Sequence, residues 1–103
     1  MGKKYHIEYL PIAERDLVEI IEYIQKDNPS AALELLDQID ETVSKLESFP
    51  FMGQVPKDRR LQSLNYRMLI VSSYLIFYII KDNIIEIRRI LHGKRKYGFL
   101  VDP

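Results

Sequence analysis

A chain of 103 residues, 47% apolar and 29% charged, has the composition of a soluble globular protein and the length of a single domain, 1–103, with no room for a second. It has no cysteine and only two histidines, which excludes disulfides and thiolate metal sites and leaves a zinc site short of ligands; no cofactor is expected. The formal net charge of zero hides a polarity, because residues 1–50 hold 5 Lys/Arg against 11 carboxylates, a net −6, while residues 51–103 hold 10 against 4, a net +6, so an acidic side and a basic side are expected.

The first residues, MGKKYHIEYLP, contain no long apolar run, so no secretion signal is expected, and a reducing cytoplasm suits a chain without cysteine. Residues 4–10 alternate Tyr5, Ile7 and Tyr9 with Lys4, His6 and Glu8, the period of a short strand. Pro11 suits the first position of a helix, where its missing N–H is not needed. Ala13, Leu17, Ile20, Ile21 and Ile24 then recur at helical spacing, with Glu14, Asp16, Glu19 and Glu22 mostly on the other side, as solubilising rather than catalytic carboxylates. Asn28 and Pro29 break this helix and start another as N-cap and first residue. Its stripe is Ala32, Leu36, Ile39, Val43 and Leu46, and it should end near Phe49, before Pro50. So short a connection predicts a helical hairpin.

Residues 50–63 read as an irregular connection containing Pro50, Gly53 and Pro56. Three strands are predicted after it. Residues 66–71 form the first, with Ser72 and Ser73 as a tight turn. Residues 74–80 are almost wholly apolar, as in a central strand covered on both faces. Asp82 and Asn83 turn the chain again, and residues 84–92 form the last strand. There Glu86, Arg88 and His92 share a face with Ile84 and Ile90, while Arg89 interrupts Ile85, Ile87 and Leu91; charge on both faces implies a partly uncovered sheet. No apolar run exceeds about 8 residues, far below the ~20 that span a bilayer, so no membrane association is expected. The order βααβββ defines an α+β domain, a helical hairpin packed on a small antiparallel-rich sheet.

The last strand delivers His92, Lys94, Arg95, Lys96 and Tyr97 to one edge. Such an edge suits phosphates or an acidic partner, and metal-independent cleavage of a phosphodiester would need a base, cations around the crowded phosphate and an acid for the leaving oxygen. His92 has a suitable intrinsic pKa, and Arg95, Arg67 and Lys94 are candidate cations. Tyr97 or Tyr66 offers a ring on which a base stacks. The other reading of His92 is a strand-end residue hydrogen-bonded to backbone. Lys57, Arg59 and Arg60 form a second basic cluster, a phosphate contact or a solvated loop, and Lys94 and Lys96 extend the first as binding residues. His6 reads as structural. There is no Gly-rich phosphate loop and no nucleophile motif.

The segments YLPIAERDLVEIIEYI, PFMG, YRMLIVSSYLIFYII and IIEIRRILHGKR, in this order, resemble the RelE/ParE family of toxins from type II toxin–antitoxin systems, over nearly the whole chain. The resemblance implies a small cytoplasmic toxin neutralised by a cognate antitoxin that lays a helix or strand in an apolar groove, which would account for incompletely covered apolar surface. It also implies one of two activities. RelE-like and YoeB-like members cleave mRNA on the ribosome, and ParE-like members poison DNA gyrase. The helical hairpin and the terminal Ile-Leu-His-x-x-Arg pattern look more like ParE. RelE-like members carry an arginine directly after the first tyrosine of the central strand, where this chain has Leu75; Arg95 and Tyr97 match the family's C-terminal basic and aromatic positions approximately. Gyrase inhibition by binding is therefore the first expectation, ribosome-dependent cleavage the alternative, and a non-toxic member that only binds its antitoxin the third.

Overall fold

The computed structural model describes residues 4–94 and 100. Strand β1 (His6–Tyr9) leads into helix α1 (Pro11–Gln25), then α2 (Pro29–Ser44) and a 3₁₀ turn (Lys45–Glu47). A short helix α3 (Arg59–Ser63) precedes β2 (Arg67–Val71), β3 (Tyr74–Lys81) and β4 (Ile84–His92). The strands form one sheet in the order β1-β4-β3-β2, with β1 parallel to β4 and the other pairs antiparallel.

The helix boundaries follow from their end residues. Pro11 starts α1, and Asn28 Oδ1 accepts the Ala31 N–H at 3.1 Å to cap α2. The second helix does not continue to Phe49 as expected. It ends at Ser44 and tightens into the 3₁₀ turn, which keeps Leu46 fully buried and lets Phe49 N–H bond the Lys45 carbonyl. The connection is also not wholly irregular: Asp58 caps α3 by accepting the Arg60 N–H at 2.8 Å.

The sheet separates two cores. On one face the hairpin presents Ala13, Leu35, Ile39 and Val43 to Ile76, Tyr78, Ile85, Ile87 and Ile90. On the other, Leu61 of α3 and Tyr66 cover Phe77, Ile79 and Leu91. β3 is thus covered on both faces, as its apolar run predicts. Removing one fully buried contact, such as Ile39, would cost about 2–5 kcal/mol as Ile→Ala.

The irregular pattern of β4 has a different cause from the one expected. A register shift sets Phe77 opposite Arg89 and Tyr78 opposite Ile87, leaving Arg88 as the extra residue of a bulge. The bulge reverses the alternation, so Ile90 joins Ile85 and Ile87 on the hairpin side and Leu91 faces the second core.

Asp16 also departs from its expected place on the solvent face of α1. It is buried, and its carboxylate accepts Nε and Nη2 of Arg89 at 2.7 and 3.0 Å and the Ile90 N–H at 3.0 Å. β1 pairs with β4 only as far as Ile87. Asp16 takes over from there, satisfying an amide of β4 that β1 no longer reaches.

Candidate functional site

The strand edge carrying His92 forms because Tyr74 and His92 are paired across β3 and β4 and the turn after β4 folds back. The imidazole stands edge-on to the Tyr74 ring, centroids 5.3 Å apart. Its Nδ1 accepts the Lys94 N–H at 3.1 Å. A neutral imidazole bonded in this way carries its hydrogen on Nε2, so neither nitrogen has a lone pair left for a general base. On its helix side His92 opens on a cavity of about 530 Å³ lined also by Asp16, Glu19 and Tyr23. Carboxylates on that wall disfavour a phosphodiester. Lys94 is exposed; Arg95, Lys96 and Tyr97 lie outside the described residues.

Arg67 is not brought to His92. It pairs with Tyr78, whereas His92 pairs with Tyr74, a separation of about 13 Å along β3 alone at ~3.3 Å per residue. Its Nη1 donates to the Gly53 carbonyl at 3.1 Å, and its guanidinium lies 5.2 Å from the centre of the Phe51 ring. Leu75 faces Leu91 in register and packs on the second core. Tyr66, a candidate for base stacking, is buried edge-on against Phe77, with Arg88 5.9 Å from its ring centre.

The Lys57, Arg59 and Arg60 cluster sits at the start of α3. Lys57 and Arg59 are exposed. Arg60 is countered by Asp58, its Nη2 3.1 Å from Oδ2. The hydrogen bonds from the Arg60 side chain and backbone hold the Asp58 carboxyl below its usual range.

The residue that organises the loop before this cluster was not singled out in the sequence. Tyr78 is fully buried in the middle of β3. Its hydroxyl donates to the Pro50 carbonyl at 2.8 Å and accepts the Gly53 N–H at 3.0 Å. Burial raises its pKa, opposed by the Gly53 N–H and by Arg67. A Cβ on Gly53 would lie 2.6 Å from that hydroxyl, so only glycine lets the backbone approach so closely. Gln54 and Met68 exchange backbone hydrogen bonds at 2.8 Å in both directions. The loop is thereby fixed to β2 and β3, and it holds Phe49, Phe51, Met52 and Val55 out towards solvent. The signal for this in the sequence was the PFMG segment, whose proline and glycine are the two residues that Tyr78 holds.

Among the described residues no group of three His, Asp or Glu side chains is placed to hold a metal ion, and no helix is long and apolar enough to cross a membrane. A helical hairpin over a four-stranded mixed sheet, braced by a third short helix, is a fold shared with solved toxin–antitoxin proteins. One neighbour is the chromosomal ParDE system of P. aeruginosa, at 19% identity and TM-score 0.74, covering 90% of this chain and 100% of that one. Another is the RelBE2 toxin–antitoxin complex of Mycobacterium tuberculosis, at 22% identity and TM-score 0.58, covering 86% and 98%. No curated protein sequence matches. The family model described as ParE toxin of type II toxin–antitoxin system, parDE, matches residues 7–97, and the chain belongs to that family.

Proposed function

We propose that this chain is a cytoplasmic toxin that arrests growth by binding and inhibiting DNA gyrase, and that a cognate antitoxin holds it in check. The observation that carries the reading is the state of the strand edge. His92 has its Nδ1 lone pair engaged by Lys94, and Leu75 is packed against the second core. Among the described residues, the imidazole already has its Nδ1 engaged and a leucine stands where RelE-like members carry an arginine, which suits recognition better than cleavage. The groove between the hairpin helices suits the antitoxin: Leu17, Val18, Leu36 and Ile39 line about 290 Å³ flanked by Glu14 and Asp40, the shape and charge for an amphipathic helix with basic flanks. Purified toxin is expected to abolish gyrase supercoiling in a dose-dependent way, and His92→Ala to inhibit as well as the wild type. Undiminished supercoiling at excess toxin overturns the reading.

Ribosome-dependent mRNA cleavage is the second reading, favoured by the run Lys94, Arg95, Lys96 and Tyr97. It predicts toxin-dependent cuts in translated mRNA by primer extension, lost in His92→Ala and Arg95→Ala. Absence of cuts rejects it. Absence of growth arrest without antitoxin would leave a member that only binds its antitoxin.

A further inference from the structure

The loop at residues 49–55 displays apolar side chains that a solvated loop does not normally hold in water. Phe49 is 64% exposed, Phe51 62% and Val55 52%. These are not loose side chains on a slack segment. Tyr78 bonds the loop at Pro50 and at Gly53, Arg67 bonds the Gly53 carbonyl, and Gln54 pairs with Met68. The backbone ordering that a binding loop usually undergoes on association has already taken place on folding. Between this ridge and α3 lies a cleft of about 330 Å³ lined by Phe51, Val55, Tyr66 and Arg67. The surroundings are basic: residues 49–69 hold Lys57, Arg59, Arg60 and Arg67 against Asp58 alone. The hairpin, with Glu14, Glu19, Glu22, Asp37 and Asp40, has the opposite sign. An exposed aromatic ridge with arginine beside it has the composition of an interface centre rather than of ordinary surface.

We propose that the ridge and its cleft are the surface on which this toxin docks its protein target, and that the target presents an acidic segment with an apolar side chain. The apolar side chain enters the cleft beside Phe51. The carboxylates meet Arg67, Lys57 and Arg59, and the acidic hairpin repels the same segment, so the encounter is steered to the ridge. The inference rests on the reading of the chain as a toxin that acts by binding. It adds to that reading where contact is made and what chemistry the partner brings.

The test uses the full chain, with growth arrest at graded induction and gyrase supercoiling as separate readouts. The variants are Phe51→Ala, the pair Lys57→Glu with Arg59→Glu, and Leu33→Ala as a control on exposed α2 surface. Thermal melts followed by circular dichroism confirm that each is folded. Phe51→Ala is expected to weaken arrest and inhibition about tenfold or more, the magnitude of an interface hot spot. The charge reversal is expected to do the same, most strongly at low salt. Leu33→Ala should remain within about twofold, as peripheral contacts do. Wild-type potency in both ridge variants overturns the inference while leaving the gyrase reading intact. Arrest by the wild type without loss of supercoiling overturns the gyrase reading, and the ridge is then judged on arrest alone. A wild-type chain that neither arrests growth nor inhibits gyrase overturns both.

Discussion

Tyr78 and Gly53 together set the position of the ridge. In Gly53→Ala the new methyl would stand 2.6 Å from the Tyr78 hydroxyl and 3.0 Å from the Met68 carbonyl. Both neighbours are fixed, one in the core and one in the sheet, so the loop must lift. A stability loss of about 1–3 kcal/mol is expected from such overpacking, read from the urea midpoint. Asp16 and Arg89 form a second such pair. Asp16→Ala would remove the carboxylate that accepts from the largely buried Arg89 guanidinium and from the Ile90 N–H. A loss of about 3 kcal/mol is expected, whereas Asp16→Asn, which keeps an oxygen for the Ile90 N–H, should cost less. Equal costs for the two substitutions would mean that the amide contributes nothing. The position of Asp16 could not be read from the sequence. It lies on a helix whose other carboxylates face water, and the partner that draws it inward is 73 residues away.

At the scale of elements, the boundaries were readable wherever a local residue sets them. Pro11, the Asn28-Pro29 pair and the Ser72 and Asp82 turns fall where expected, because backbone preference and capping act within a few residues. The two turn residues adopt φ of 55° and 54°, the left-handed conformation that a two-residue hairpin loop requires. What escaped were features set by tertiary contact. The β4 bulge depends on how two strands pair, and α3 exists because Leu61 has a second sheet face to cover. His92 and Arg67 were readable as candidate types, but their separation across the sheet depends on register, which no local pattern encodes. β1 supplies a prediction of its own. Burial, with a further push from Asp40, raises the Tyr9 phenol from 10.0 to about 12. A phenol that ionises later in the folded chain than in the unfolded one contributes stability that is complete below pH 10. That contribution declines as pH rises from 10 to about 12. Stability should fall over this window, and Tyr9→Phe should flatten the fall, as measured by denaturant unfolding at successive pH values. An unchanged alkaline profile in Tyr9→Phe would refute the assignment.

At the scale of the whole molecule, the opposite charges of the two halves have a spatial counterpart. The acidic hairpin covers one face of the sheet, while Leu61 of α3, the helix that carries Arg59 and Arg60, packs on the other. A single small domain can in this way present surfaces of opposite sign to two partners. The sheet order has a temporal consequence as well. β2, β3 and β4 are joined by short turns and can pair as soon as each is made. β1 is synthesised first, yet its neighbour in the sheet is β4, with His6 opposite Ile84 and Tyr9 opposite Ile87. The sheet therefore cannot be completed until β4 has been made, and closing so long a span is slow relative to hairpin formation. Because this join is the most distant pairing and lies at an edge, it should also be the first to open in the finished protein. Hydrogen exchange is expected to release the β1 amides well before those of Ile76 and Phe77 in the centre of the sheet. Equal protection across the sheet would mean that the N-terminal strand is as firmly held as the meander. If the order holds, the strand made first of the four is the one paired last, and a product truncated before β4 leaves β1 without its sheet partner.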